Sequence, residues 1–313
     1  MLILGQKYKF TELEQQRLYK RFSSVNKIIY DNENPKDVIN SIEAVLQTDR
    51  FGTIVLNTKA KVDNEIIKYL TNLKYDEDHK NIKMISIEHF LEEYLYKCYI
   101  PESNDDLHYL DDIKPFSIWQ RFQKKIVDIV GIIGLFIVFI IAKPIAKKKI
   151  KEQSPGSLYF MQHRVGLNNK EFECIKFRSM VEDAEKDGIK FASKDGDSRV
   201  FPFGDFMRRT RIDEIPQFFN ILKNEMSLIG PRPERRYWIE KDFEKNIPYY
   251  SQRHIVKPGI TGWAQVMYPY GDGIEDAKQK LMYDMYYIKY WSIFLELKII
   301  YKTIMVVIGK KGV

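Results

Sequence analysis

Residues 126–142 read IVDIVGIIGLFIVFIIA, a run of seventeen in which Asp128 is the one charged member. As a helix rising about 1.5 Å per residue this run is about 25 Å long, short of the roughly 30 Å hydrocarbon core of a bilayer. Arg121, Lys124 and Lys125 precede it, and Lys143, Lys147, Lys148, Lys149 and Lys151 follow. Cations at both ends give no preferred direction of crossing, which favours placing both ends at one membrane face. Pro144 predicts a break near Ile140, because it lacks an amide hydrogen and crowds the carbonyl four residues back. These features favour a re-entrant or steep interfacial helix over 118–153, its lysines among anionic headgroups. A buried core helix and an ordinary span are the competing readings. Asp128 excludes neither membrane geometry, since it can stay solvated or pair with Lys124 or Lys125.

Upstream, strand-length apolar runs alternate with helix-length amphipathic ones: Met1 to Leu4, then Thr11 to Phe22; Lys27 to Tyr30, then Pro35 to Leu46; Thr53 to Leu56, then Val62 to Leu70; Lys83 to Ile87, then Glu88 to Lys97. This alternation predicts a small α/β domain over 1–100 with a mostly parallel sheet. Gly5 and Gly52 are isolated and no glycine-rich loop follows a predicted strand, so a scaffold or partner surface is favoured over nucleotide binding. Pro101 to Pro115, with the acidic pairs Asp105-Asp106 and Asp111-Asp112, reads as part of a linker over 101–117. Downstream, 154–313 reads as an α+β, mainly helical domain. Its last segment, Tyr283 to Ile308, mixes Tyr and Trp with Lys289, Glu296, Lys298 and Lys302, which suits interfacial helices or helices packed on a soluble core.

The chain has 313 residues and a net charge of +7, a mild bias towards anionic partners. Its lysines cluster beside the apolar run, and no aromatic-basic repeat or zinc module is present, so nucleic acid is not expected as a partner. Cys98 and Cys174 are the only cysteines, which argues against a disulfide framework and for a reducing compartment. The start, MLILGQKYKF, shows no secretory pattern.

The chemistry is sought in Thr210 to Pro233, TRIDEIPQFFNILKNEMSLIGPRP. Asp213 and Glu214 are adjacent there, and Ile215, Phe218, Phe219 and Leu222 follow at helical spacing, predicting a helix from Asp213 to Lys223 with Pro216 in its first turn. Asp213 would then lie at a helix N-terminus, where free amides favour carboxylates and phosphates; a simple cap is the competing reading. Gly230-Pro231-Arg232-Pro233 predicts a rigid turn that aims Arg232, whose fork can grip two phosphate oxygens. Adjacent helical residues point about 100 degrees apart, so the two carboxylates should have different roles. Magnesium commonly joins one or two carboxylates to substrate phosphates, which makes Asp213 and Glu214 candidate ligands. Arg164 in QHRVG, together with Lys176 and Arg178 in KFRSM, forms an anion site or a solvated face. The glycines of KPGITGWAQ, ending at Gln265, permit a close ligand or a sharp turn. His163 and His254 have no zinc-ligand spacing around them.

From Lys124 onward the chain resembles the bacterial sugar transferase family, monotopic polyprenyl-phosphate glycosyl-1-phosphate transferases. The matching segments are Ser154 to Phe160, QHRVG at 162–166, KFRSM at 176–180, RTRIDEIPQFFNILKNEMSLIGPRP, VKPGITGWAQV at 256–266 and YDMYYIKYWS at 283–292. The resemblance implies transfer of sugar 1-phosphate from a UDP-sugar to polyprenyl (undecaprenyl) phosphate, through a covalent sugar-phosphate on Asp213. In that picture Glu214 is the dyad partner, Arg208 and Arg232 contact phosphates, Arg164, Lys176, Arg178, Gln265 and Asp284 lie at the substrate, and Mg2+ is the cofactor. It further implies a re-entrant helix broken at Pro144, a catalytic domain on the cytoplasmic face of the bacterial inner membrane, and contact with anionic lipids. A homodimer and downstream glycosyltransferases are the protein partners it allows. Lys147-Lys148-Lys149 departs from the family, whose second helical arm is usually apolar. The first hundred residues resemble a soluble domain of longer members, and Tyr268 to Lys280 is a candidate reader of the sugar.

Overall fold

The computed structural model describes residues 1–30, 34–58, 62–104, 111–184, 186, 197–268, 271 and 273–309. These form two compact units, Met1–Tyr99 and Ile100–Val313.

In the first unit, strands β1 (Leu2–Leu4), β2 (Asn26–Ile28), β3 (Thr53–Leu56) and β4 (Lys83–Ser86) form one parallel sheet in the order β2-β1-β3-β4. Helices α1 (Glu12–Arg21), α2 (Pro35–Thr48) and α3 (Asn64–Asn72) connect them, and α4 (Ile87–Phe90) runs into a wider turn, Leu91–Leu95. Each helix start is written locally. Thr11 and Glu14 form a reciprocal capping box, Asn34 caps ahead of Pro35, and Asp63 and Ser86 cap α3 and α4. Leu2, Leu4, Ile54, Val38, Ile42, Ile66 and Leu70 share one core. The order reverses between β1 and β3, where such sheets commonly bind ligands. Asn57 fills that point: its carboxamide accepts from the Tyr8 amide at 2.7 Å and donates to the carbonyls of Gly5 and Tyr8.

The second unit is built along α5, Ile118–Gln153, a helix of 36 residues started by a capping box between Ser117 and Gln120. The expected break at Pro144 is not seen; the backbone is helical on both sides of it. Phe139 before the proline and Ala146 and Ile150 after it bury in one cluster with Phe177, Met207, Ile215 and Phe218, which holds both arms against the same wall. The buried positions Lys124, Val127, Asp128, Phe139, Ala146 and Ile150 fall on one helical stripe. Ile126, Ile129, Val130, Ile133, Ile137, Ile140 and Ile141 are exposed on the others. The helix is therefore neither a core helix nor a free-standing span. It is long and apolar enough to cross a membrane, with 17% of its most apolar window buried. Lys124 and Ile150, near opposite ends, bury in the same unit, so both ends stay on that unit's side, as in a monotopic arrangement. Asp128 is buried rather than solvated, and the charge of Lys124 bears on it without a direct hydrogen bond. Its carboxylate accepts the Leu228 amide, and Lys124 pairs with Glu296.

Beyond α5 come the antiparallel hairpin β5 (Tyr159–Val165) and β6 (Glu171–Phe177), α6 (Pro202–Arg209), a tight 3-10 turn (Ile212–Gln217) and α7 (Phe218–Leu222). Strands β7 (Ser227–Ile229) and β8 (Gly259–Thr261) pair in parallel, and α8 (Trp263–Met267), α9 (Ile274–Lys289) and α10 (Ile293–Ile308) complete the unit. Of the expected linker, 105–110 lie outside the described residues. Ile113 and Phe116 are buried, Phe116 against Tyr287 and Trp291, so its end belongs to this unit's packing.

Two glycines of α5 give a test of its docking. A Cβ at Gly131 would press on the Leu228 side chain, whereas one at Gly134 would meet nothing. Gly131→Val should destabilise the purified protein by about 1–3 kcal/mol through overpacking. Gly134→Ala should be neutral or stabilising by up to about 1 kcal/mol, because alanine favours the helix. Thermal melts in detergent would read both, and equal effects would contradict the assigned face.

Candidate active site

The sequence predicts an α-helix from Asp213, but the chain makes a sharper turn. Helix α6 ends at Arg209, Arg211 adopts a left-handed backbone with φ 58, and Ile212–Gln217 is 3-10 helical before α7 begins at Phe218. Non-glycine residues rarely take that conformation. Here the reversal sets Asp213 and Glu214 inward, where both are buried. Asp213 is not a cap.

The two carboxylates have opposite surroundings. Glu214 Oε1 accepts from Lys176 Nζ at 2.7 Å and from Arg232 at 3.1 Å, and Oε2 faces Arg211 at 3.4 Å. Burial alone would raise its pKa, but Lys176, Arg232 and Arg211 hold it well below the usual carboxylate range. Asp213 Oδ1 is buried with no hydrogen-bond partner. Burial, and then the charge of Glu214, push Asp213 up to about 6. One carboxylate is thus locked as an anion, and its neighbour keeps an uncommitted oxygen.

Arg232 is aimed by backbone packing. Gly230 and Gly259 interlock where β7 meets β8: a Cβ on Gly259 would collide with the Gly230 amide, and one on Gly262 with the Gly230 carbonyl. KPGITGW and GPRP therefore form one body, and their glycines serve close chain approach. Arg253, which no sequence signal marked, donates to the Arg232 carbonyl at 3.0 Å and to the Tyr250 hydroxyl at 2.6 Å. Asp284 lies 2.7 Å from Arg253, a charge contact off the line of a good hydrogen bond, and burial pushes its pKa up to about 6. Asp284 therefore contacts Arg253 and is not among the residues that line the cavity.

Lys176, Arg211, Asp213, Glu214, Arg232 and Arg253 line a cavity of about 730 Å³, within the range of small-molecule sites. Among the described residues, ten cationic side chains against four carboxylates line it, so it favours an anionic ligand. Arg208, half-buried at the end of α6, is on the wall, and its charge bears on Asp213. Arg164 is on the wall too, held by Gln162 Oε1 at 2.5 Å and facing Glu234 at 3.7 Å. Gln265 lines the cavity, with its Nε2 buried and unpartnered. Arg178 borders it, but its donors are engaged. Nε reaches the Ser157 carbonyl, NH1 the Ser154 hydroxyl and NH2 the Ser154 carbonyl, so its guanidinium anchors the end of α5. Of Tyr268 to Lys280, residues 269, 270 and 272 lie outside the description, while Tyr268, Gly271 and Lys280 line the wall.

No group of three or more His, Cys, Asp or Glu positioned for a metal occurs among the described residues. The donor set nonetheless fits a magnesium ion that takes most of its ligands from water and substrate phosphate. Of the two carboxylates Asp213 is the one that could serve it, since cations already occupy Glu214. His163 is exposed, and burial pushes His254 down to about 3.

The raised pKa of Asp213 sets a sign for stability against pH. An acid whose folded-state pKa lies above its ordinary 3.8 contributes stability that is complete below that value and is lost as pH rises through about 6. Asp213→Asn removes that loss. The variant should melt a few degrees above wild type near about pH 7.5, and the difference should vanish near about pH 4. Equal melting temperatures at both would contradict the assigned burial.

Comparison with known proteins places the site in a lineage. Residues 119–310 match the family described as Bacterial sugar transferase. The chain is 44% identical over 213 residues to the UDP-N-acetylgalactosamine-undecaprenyl-phosphate N-acetylgalactosaminephosphotransferase of Aeromonas hydrophila, covering 66% of this chain and 49% of that protein. It is 42% identical over 200 residues to the UDP-glucose:undecaprenyl-phosphate glucose-1-phosphate transferase of Xanthomonas campestris pv. campestris, covering 63% and 40%. Galactosyl transferase CpsE of Streptococcus agalactiae is 40% identical over 212 residues, covering 64% and 45%. The chain spans about half the length, or less, of these relatives. The match runs from the start of α5 through both carboxylates to α10, and the chain belongs to the bacterial sugar transferase family.

Proposed function

We propose that this protein transfers sugar 1-phosphate from a UDP-sugar to a polyprenyl phosphate at a membrane surface, releasing UMP. The reading rests chiefly on one observation: Asp213 keeps a buried, uncommitted oxygen beside a neighbour fixed by cations, inside a cleft that favours phosphates. Two of the relatives, those of Aeromonas hydrophila and Xanthomonas campestris, are named for transfers of this class to undecaprenyl phosphate, with different sugars.

In the proposed sequence, Asp213 Oδ1 attacks the sugar-bearing phosphorus of the donor. The bond from that phosphorus to the bridging oxygen breaks, and UMP leaves with the electron pair. Arg208 and Arg232 stabilise charge on the transferring group, as preorganised cations do in phosphoryl transfer. Glu214 keeps Lys176, Arg211 and Arg232 in place without competing as nucleophile. A polyprenyl phosphate oxygen then attacks the aspartyl adduct, the phosphorus–aspartate bond breaks, and Asp213 is regenerated. A magnesium ion, when bound, would neutralise phosphate charge next to Asp213. The exposed apolar stripe of α5 and the exposed Phe294, Leu297, Tyr301, Ile304 and Met305 of α10 would lie in lipid, with the lysines after Ala142 on anionic headgroups at the cytoplasmic face.

The test uses protein in nanodiscs and UDP-N-acetylgalactosamine, UDP-glucose and UDP-galactose labelled at the sugar-bearing phosphate. Wild type should take up label from one donor, release UMP, and lose the label when polyprenyl phosphate is added. Asp213→Asn should take up none and lose turnover by at least about 10³-fold. Label on the variant, or product formed solely when both substrates are present together, would overturn the covalent route.

A further inference from the structure

Helix α5 does more than rest on the catalytic unit: two of its charged side chains, one turn apart, take over the open edge of β7. On its other edge β7 bonds to β8, with Ser227 N–H donating to Pro258 and Gly230 N–H to Thr261. A planar trans peptide points its C=O opposite its N–H, so the Ile229 carbonyl faces away from β8. Lys124 Nζ donates to that carbonyl at 2.6 Å, and Asp128 Oδ1 accepts the neighbouring Leu228 amide at 2.7 Å. Lysine and aspartate thus stand where a further strand would supply an amide and a carbonyl. Immediately after come Gly230, Pro231 and Arg232.

Both side chains are buried, and Lys124 is itself held. Its ammonium lies 2.7 Å from Glu296 Oε1 and 2.9 Å from the Tyr287 hydroxyl, while Trp291 Nε1 donates to the same glutamate oxygen at 2.8 Å. Buried ion pairs stabilise weakly because desolvation offsets their attraction, so they are better understood as fixing one arrangement. This one fixes a strand that ends three residues before the arginine on Glu214.

We propose that Lys124 and Asp128 are positioning residues that clamp the Leu228–Ile229 backbone to the membrane helix and thereby fix Arg232 in the active site. Docking of α5 and assembly of the phosphate site are then one event. The kinetic part rests on the proposed transfer reaction; the clamp itself does not.

Asp128→Ala, Asp128→Asn and Lys124→Arg in the full chain, reconstituted in nanodiscs, test this. Asp128→Ala should lower kcat for UMP release at least about fivefold, while Asp128→Asn, whose amide oxygen can accept the same N–H, should stay within about twofold. In an Arg232→Lys background, Asp128→Ala should cost little more, because both changes act through one side chain. Fully additive losses would overturn the proposal, as would an Asp128→Ala variant with wild-type kcat. If Asp128→Ala does not accumulate, the same cycle with Lys124→Arg decides, since that change keeps the charge beside Glu296 but moves the donor. Hydrogen exchange of the 227–233 peptide gives a readout independent of turnover. It should quicken in the clamp variants even if no tested donor is used, and unchanged exchange would refute the clamp whatever the reaction proves to be.

Discussion

The second unit depends on the cluster of cations around Glu214. Lys176 comes from β6, Arg211 from the turn after α6, and Arg232 from the loop after β7, so one carboxylate ties three separate pieces of chain. A buried ion cluster of this kind contributes little net stability, because stripping water from the charges costs about what their attraction returns. What it supplies is geometry. The guanidinium and ammonium groups point at one place, and Asp213, one residue away, is left with an oxygen no cation engages. Its raised pKa follows from the same fact, since burial and the fixed anion beside it both disfavour its charge.

The membrane helix and this cluster belong to one framework. Phe139 stacks on Phe177 and contacts Phe218 and Phe219, so the middle of α5 packs on the end of β6 and on the helix after the carboxylates. Arg178 binds the backbone that leaves α5, and near the start of α5 Lys124 and Asp128 bind β7. A helix tied at both ends and the middle cannot run away from the unit that holds it, while its outward face over 126–142 is aliphatic and aromatic. That combination suits the proposed transfer to a lipid acceptor without crossing to the other side.

Much of this was legible in the sequence, for physical reasons that also mark where reading stopped. The parallel sheet of the first unit was readable because alternation of apolar runs and capped helices is local, and the capping box at Thr11 and the cap at Asn34 are written within a few residues. Asp213, Glu214 and Arg232 were readable as site candidates from residue type and from the prolines beside Arg232, Arg208 only through the family resemblance, and the structure brings all four to one cavity. The 3-10 turn was not, because helical spacing of Phe218 and Leu222 looks the same whichever turn precedes it. Arg211 stands three residues before Glu214 and could have been paired with it; Arg253, in an ordinary-looking SQRHI, could not. Partners set by tertiary packing stayed hidden. Asp128 was weighed against the lysines beside it, yet it binds an amide 100 residues away, and Lys124 binds a glutamate 172 residues away. Helicity through Pro144 was likewise decided by burial on both sides of it, which no local rule contains.

The most direct test of the central claim is the titration of Asp213 itself, followed by carbon NMR of protein carrying labelled aspartate, with Asp213→Asn identifying the signal. The carboxyl should titrate near about 6, and Glu214→Gln should lower that value, because it removes the adjacent anion and leaves Lys176, Arg211 and Arg232 unneutralised. An ordinary aspartate titration in wild type, or a value unmoved by Glu214→Gln, would contradict the account of one carboxylate fixed so that its neighbour is free to react.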